Sequence, residues 1–189
     1  MNRTQAMKKI KDYLKNHFIR FEQDFDNNAP RITMLFQGCE LAPNRIIEGC
    51  IWFYAEEMEV RIYYADVASG WCKEFREKIP LLMHLFNYVN SIAWLKTSDG
   101  ANGRLYQPHY LHTPRLYMTE DGCYDITLTS VINYDFFEIT QLETEDYITA
   151  YCPEILSQLS PAIFGLLLGE INVEMAKIYI RDNLINKKE

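Results

Sequence analysis

A chain of 189 residues, 48% hydrophobic and 24% charged, is large and apolar enough to bury its own core, which excludes disorder as its main state and suggests one domain over 1–189. The amino-terminal Arg3, Lys8, Lys9, Lys11 and Lys15 flank no apolar h-region, and apolar runs such as IFGLLL at 163–168 are far shorter than a membrane span, so neither a secretory signal nor a membrane partner is expected. The net charge of −7 is unevenly spread: residues 116–176 hold 11 acids and no Lys or Arg, a field that excludes nucleic acid as a partner of that half and leaves a solvated surface or a docking face for a basic partner.

Met7, Ile10, Leu14 and Phe18 recur at intervals of three and four through 4–19, which predicts an amphipathic helix with a basic outer side. After Pro30, RITMLFQG at 31–38 alternates Ile32, Met34 and Phe36 with polar neighbours, as a half-buried strand does. IIEGCIWFY (46–54) and MEVRIYYA (58–65) are rich in β-branched and aromatic residues and read as a hairpin. A turn at Glu56–Glu57 would set Trp52 opposite Arg61 and Cys50 opposite Tyr63. Ile51, Phe53, Val60 and Ile62 then share one face, and Cys50, Trp52, Tyr54, Arg61 and Tyr63 the other.

The pattern breaks at Ser69 and Gly70. From Trp71 or Phe75 a helix is expected to run to about Trp94, kinked or restarted at Pro80, with Leu82, Leu85, Phe86, Val89 and Ile92 buried. Asn87 and Asn90 border that stripe. The stretch 97–112 reads as a long loop, and a second hairpin joins PRLYMT to CYDITLTSVI through EDG, where Asp121 and Gly122 supply the reversal. Thr144, Glu145 and Asp146 look like a helix start, with breaks at Pro153, Ser160–Pro161 and Gly169, and Asn172 is placed to cap a last helix carrying Val173, Ala176, Ile180 and Leu184 inward.

The fold class is therefore α+β: an antiparallel sheet of about five strands with flanking helices, in the order α-βββ-α-ββ-α, plus an extra carboxyl-terminal helix. Residues 1–169 form the core and 170–189 a helical extension. The order, with Asn87 and Asn90 in HLFNYVNSI, Asp121 and Gly122 in YMTEDGCYDITL, and the Thr144–Glu145 helix start, resembles the YbjN-like family. That resemblance implies a fold like that of type III secretion chaperones, dimeric pairing, and a protein-binding or regulatory role without chemistry. The loop at 96–113 and the last helix depart from the family pattern.

No catalytic signature is present: there is no Gly-x-Ser-x-Gly elbow, no Cys–His spacing for a nucleophile and no phosphate loop. His109 and His112, with Asp99 or His84, supply only part of a zinc ligand set. The five cysteines, odd in number and without metal or redox spacing, read as small core hydrophobes in a reducing compartment, with a regulatory thiol as the alternative. Asn87 and Asn90 can tie the helix to exposed backbone of the following hairpin, or recognise a ligand. The face with Trp52, Tyr54, Arg61 and Tyr63 needs cover, from the amino- or carboxyl-terminal helix or from a twin molecule, and carries the residue types that anchor interfaces. The expectation is a cytoplasmic, non-enzymatic protein-binding module, a homodimer with no cofactor and no metal. The alternative is a ligand-binding protein or enzyme with a pocket between the 80–95 helix and the 97–112 loop.

Overall fold

The computed structural model describes residues 1–26, 28–91, 97–98, 105–106 and 112–185. Helix α1 (Arg3–Asn16) starts at a reciprocal cap: Asn2 Oδ1 accepts from the Gln5 N–H and Gln5 Oε1 from the Asn2 N–H, each at 3.0 Å. Ala6, Ile10 and Leu14 are its buried stripe. Phe18, expected to extend that stripe, lies outside the helix. Its φ is 56°, its N–H donates to the Lys15 carbonyl and the Ile19 N–H to the Leu14 carbonyl, so Phe18 occupies the left-handed residue of a Schellman closure, a place usually held by glycine. Its ring is 94% exposed.

Four strands follow, β1 (Arg20–Asp26), β2 (Ala29–Gln37), β3 (Ile46–Phe53) and β4 (Glu57–Tyr64), each antiparallel to the last. With the short pair β5 (Thr97–Ser98) and β6 (Leu105–Tyr106) set apart, β7 (Arg115–Met118) and β8 (Ile126–Asn133) complete a six-stranded antiparallel sheet in the order β1-β2-β3-β4-β8-β7. The expected five strands become six because β1 was not foreseen: RFEQDFD is an exposed edge strand, and its polarity hides its period. Its carboxylates also discourage pairing with a second sheet edge of like charge.

The β3–β4 register differs from the expected one by two residues. Phe53 pairs with Met58, Ile51 with Val60 and Cys50 with Arg61, while the Tyr54 N–H donates to the Glu57 carbonyl at 2.9 Å. Trp52 is thus opposite Glu59 and diagonal to Arg61. A slip of two keeps every side chain on its face, so sorting by face cannot tell the two registers apart. Gly49 lies on the helix-covered face opposite Ile62, where a Cβ would come within 2.7 Å of Ile62 Cδ1 and 3.0 Å of Met34 Cε. The close approach favours glycine there, since any Cβ would push those side-chain ends aside.

Helix α2 (Asp66–Glu74) begins five residues before the expected start and runs through Ser69 and Gly70. After one 3-10 turn, α3 (Ile79–Ser91) begins with Pro80 in its first turn, where a missing N–H costs nothing. The expected helix is therefore two helices. Beyond β8, an unforeseen α4 (Tyr134–Ile139) is capped by Asn133. Helix α5 (Gln141–Asp146), a π turn (Tyr147–Tyr151) and α6 (Cys152–Leu167) then run on without interruption. Thr144 and Glu145 do not start a helix: both are buried within α5. Nor do Pro153 and Pro161 break the chain. Pro153 sits in the first turn of α6, directly after the wider turn at Tyr147–Tyr151, and thirteen of the sixteen α6 residues are buried, so packing outweighs local propensity. Gly169, at φ 79°, does end the run. Asn172 caps α7 (Val173–Ile180) by accepting from the Met175 N–H at 2.9 Å, and Ala176, Ile180 and Leu184 join the main core.

Among the described residues, the buried apolar side chains of α1, α2, α3, α4, α6 and α7 join one core, on one side of the sheet, and α5 adds the buried polar Thr144 and Glu145. The opposite side holds a separate small cluster of Ala29, Cys50 and Trp52 with Tyr54 and Tyr63 against it, and no described helix contributes to it.

Candidate functional site

The helix-free face of the sheet is organised by strand register into rows. Asp24, Arg31, Trp52, Glu59 and Val131 form one, from β1 across to β8; Glu22, Thr33, Cys50, Arg61, Thr129 and Arg115 form the next. Trp52 is only 9% exposed although no described helix contributes to its cluster, and two guanidinium groups lie over its ring. Arg61 Cζ lies 4.9 Å and Arg31 Cζ 5.7 Å from its ring centroid, contacts worth roughly 0.5–2 kcal/mol each. The indole N–H donates to Asp26 Oδ2 at 3.2 Å.

Carboxylates hold both arginines in place. Arg31 donates to Asp24 through Nε (2.9 Å) and Nη2 (2.5 Å) and to Asp26 at 2.8 Å, a forked geometry that guanidinium favours. Arg61 Nε donates to Glu59 Oε1 at 2.7 Å, and the Tyr54 hydroxyl to Glu59 Oε2 at 3.3 Å. The Arg31 hydrogen bonds keep the Asp24 carboxyl below its ordinary range. Cys50 Sγ and Tyr63 Oη are 3.2 Å apart, and burial pushes both groups upward, so neither is an ionised nucleophile at neutral pH. Burial, and then the nearby Asp66 carboxylate, likewise raises Glu48. The face is thus a rigid, charge-compensated aromatic surface suited to recognition.

Of the residues singled out in the sequence, Trp52, Tyr54, Arg61 and Tyr63 do lie on this one face. Arg31, Asp24 and Asp26, which complete it, were missed. The signal for Arg31 was its place on the other face from Ile32 in the strand that was recognised, and for Asp24 and Asp26 the Asn27–Asn28 turn in front of that strand, which implies a preceding partner. The two amides part company. Asn90 Nδ2 donates to the Leu116 carbonyl and Asn90 Oδ1 accepts from the Leu116 N–H, both at 2.9 Å, which fastens α3 to the edge strand β7, whereas Asn87 is exposed.

His112 is buried, 3.1 Å through Nε2 from Thr144 Oγ1 and stacked on Tyr147 at 4.3 Å; His84 is exposed. His109, Asp99 and most of the 97–112 loop lie outside the described residues, and so does the pocket expected beside it. Among the described residues no group of three or more His, Cys, Asp and Glu side chains is placed to hold a metal. Cys50, Cys72 and Cys152 are buried and Cys39 half-buried, but Cys123 is exposed, contrary to its expected place in the core. The Asp121 carboxylate, followed by desolvation and Asp125, pushes its thiol upward, the reverse of activation.

The amino-terminal segment makes polar contacts with the acidic carboxyl-terminal half. The Met1 amine bonds Glu138 at 2.6 Å and Asp135 at 3.3 Å, Lys9 donates to Gln141, and the Tyr13 hydroxyl to Asp146 at 2.6 Å. Among the described residues, no helix is long and apolar enough to cross a membrane. No protein-family model, curated protein or solved structure matches the chain.

Proposed function

We propose that this chain is a non-enzymatic protein-binding module that pairs with a second copy of itself through the helix-free face of the sheet. The observation that carries the reading is Trp52 held between Arg31 and Arg61 on a face to which no described helix contributes. Preorganised aromatic and arginine side chains are the residues that concentrate binding energy in interfaces, and their geometry here is set before any partner arrives. Val131, 62% exposed in the same row as Trp52, adds an apolar contact beside them. The chaperone-like or regulatory part of the proposal rests on the YbjN-like resemblance, from which the Thr144–Glu145 match is now removed.

Size-exclusion chromatography with light scattering tests it. The expected result is a dimer for the wild type and a monomer for Val131→Ser, a substitution at an exposed position that brings no charge opposite Glu59, and for Val131→Glu, which sets a second carboxylate there. A wild-type monomer across the accessible concentration range refutes self-pairing, and a Val131→Glu dimer removes this face from it.

A further inference from the structure

The six-stranded sheet has two edges, and the chain treats them differently. β1 is open, with five of its seven residues exposed. β7 is closed: Leu116 is only 2% and Met118 9% exposed, although both lie in an edge strand. The Thr119 N–H donates to the Asp125 carbonyl at 3.0 Å, and bonded pairs alternate with unbonded ones along an antiparallel ladder. In the β7–β8 register, the backbone groups of Leu116 therefore point away from β8, out of the edge. Asn90 meets them there, donating to the Leu116 carbonyl and accepting from its N–H, both at 2.9 Å. Its carboxamide presents to β7 the same donor and acceptor that a neighbouring strand would.

We infer that Asn90 is an edge guard, which closes β7 to addition of the β1 strand of a second copy. The sheet itself selects that occupant. Every neighbouring pair in the order β1-β2-β3-β4-β8-β7 is antiparallel, so β1 and β7 run in opposite directions. A copy displaced sideways without rotation thus lays its β1 antiparallel to β7, with its helices on the same side of the extended sheet. Glu22 and Arg115 stand at the two ends of one cross-strand row. Both are exposed, and neither has an ion-pair partner among the described residues. The same displacement brings the carboxylate of one copy beside the guanidinium of the next, a favourable cross-strand pair.

A head-to-tail contact of this kind does not close on itself, and a sheet with both edges available keeps adding strands. The carboxylates of β1 oppose another β1 but not the basic edge at Arg115, so control over this pairing rests on β7. Asn90 lies in the last turn of α3, and that turn loses its tie to the strand when the amide is removed. The inference does not rest on the sheet-face reading, since a monomer and a face-paired dimer alike would carry guarded β7 edges.

Sedimentation velocity on the full-length chain, well below the melting temperature of each variant, tests the guard. Wild type and Asn87→Ala should reach a limiting mass as concentration rises, whereas Asn90→Ala should pass it, to a weight-average mass at least about twofold that of the wild type. Leu159→Ala, a core truncation in α6 that lowers stability without touching β7, should keep the wild-type limit. Adding Arg115→Glu to Asn90→Ala should restore that limit, as should an excess of the acetylated and amidated peptide RFEQDFD, which occupies the opened edge and ends growth. Should Asn90→Ala fail to fold, Asn90→Gln, which keeps an amide but carries it past Leu116, serves the same comparison. A wild-type limit in the Asn90 variant, equal assembly of Leu159→Ala, or assembly indifferent to Arg115→Glu overturns the proposal. Each mass is judged against the chain with Asn90 intact, whether that is monomer or dimer, so the outcome is separate from that of the Val131 variants.

Discussion

Replacing Asn90 by Ala removes both hydrogen bonds that hold β7 to α3. β7 is four residues long and lies at the sheet edge, with β8 as its only strand neighbour among the described residues, so the amide bracket supplies support that the ladder does not. Two hydrogen bonds at about 0.5–1.5 kcal/mol each give roughly 1–3 kcal/mol; the groups left without partners are the N–H and C=O of Leu116, a residue only 2% exposed, so water reaches them only through the space the amide vacates and the loss lies in the upper part of that range, at least about 2 kcal/mol. For a chain of this length that lowers Tm by at least about 4–8 °C. Asn87→Ala, one turn away and exposed, should stay within about 0.5 kcal/mol of wild type. Urea unfolding measures both, and amide exchange at Leu116 supplies a local readout, which should accelerate in Asn90→Ala alone. Equal effects of the two substitutions, or an unchanged Leu116 amide, would refute the assignment of Asn90 as the bracket.

Phe18→Gly should stabilise the chain: the left-handed conformation costs a side-chain-bearing residue about 1–2 kcal/mol, glycine gives back about 0.5–1 kcal/mol in unfolded-state entropy, and the exposed ring contributes no burial. A Tm rise of about 2–4 °C is expected, with Phe18→Ala close to wild type because its Cβ remains; equal behaviour of the two variants contradicts the strain argument. Glu145, 3% exposed, has its carboxyl pushed up to about 7 by burial, against the opposing pull of Gln141 and Lys9. Because the folded state holds this proton more tightly than the unfolded chain, the favourable contribution is complete below about pH 4.5 and is lost as pH rises through 7, a change on the order of 3 kcal/mol. Denaturant unfolding at pH 5 and pH 8 should show that fall in the wild type and a smaller one in Glu145→Gln; identical pH dependence in both would count against it.

What could be read in the sequence was what repeats with a period. The alternation in β2, β3, β4 and β8 and the three-four spacing in α1 identified those elements and their faces, and the α+β class with them. Properties that periodicity does not encode were lost. A two-residue register slip between β3 and β4 leaves the faces unchanged, so Trp52 was assigned the wrong direct partner while its contact with Arg61 survived on the diagonal. β1 escaped because an exposed edge strand buries little on either face. The unbroken course from Gln141 to Leu167 ran against Pro153 and Pro161, since burial of nearly all of α6 is a tertiary effect. Asn90 was legible as a bracket by its chemistry, but nothing in HLFNYVNSI distinguishes it from Asn87; only the rotation of α3 against β7 does.

The same distinction governs the charges. Along the chain, 116–176 is a block of acids without a cation, and taken alone it describes half a molecule with a strong negative field. In space part of that block meets the amino terminus: the Met1 amine at Asp135 and Glu138, Lys9 beside Gln141 and Glu145, and the Tyr13 hydroxyl on Asp146. Segments separated in sequence by more than a hundred residues are thus joined by polar contacts that no local pattern announces.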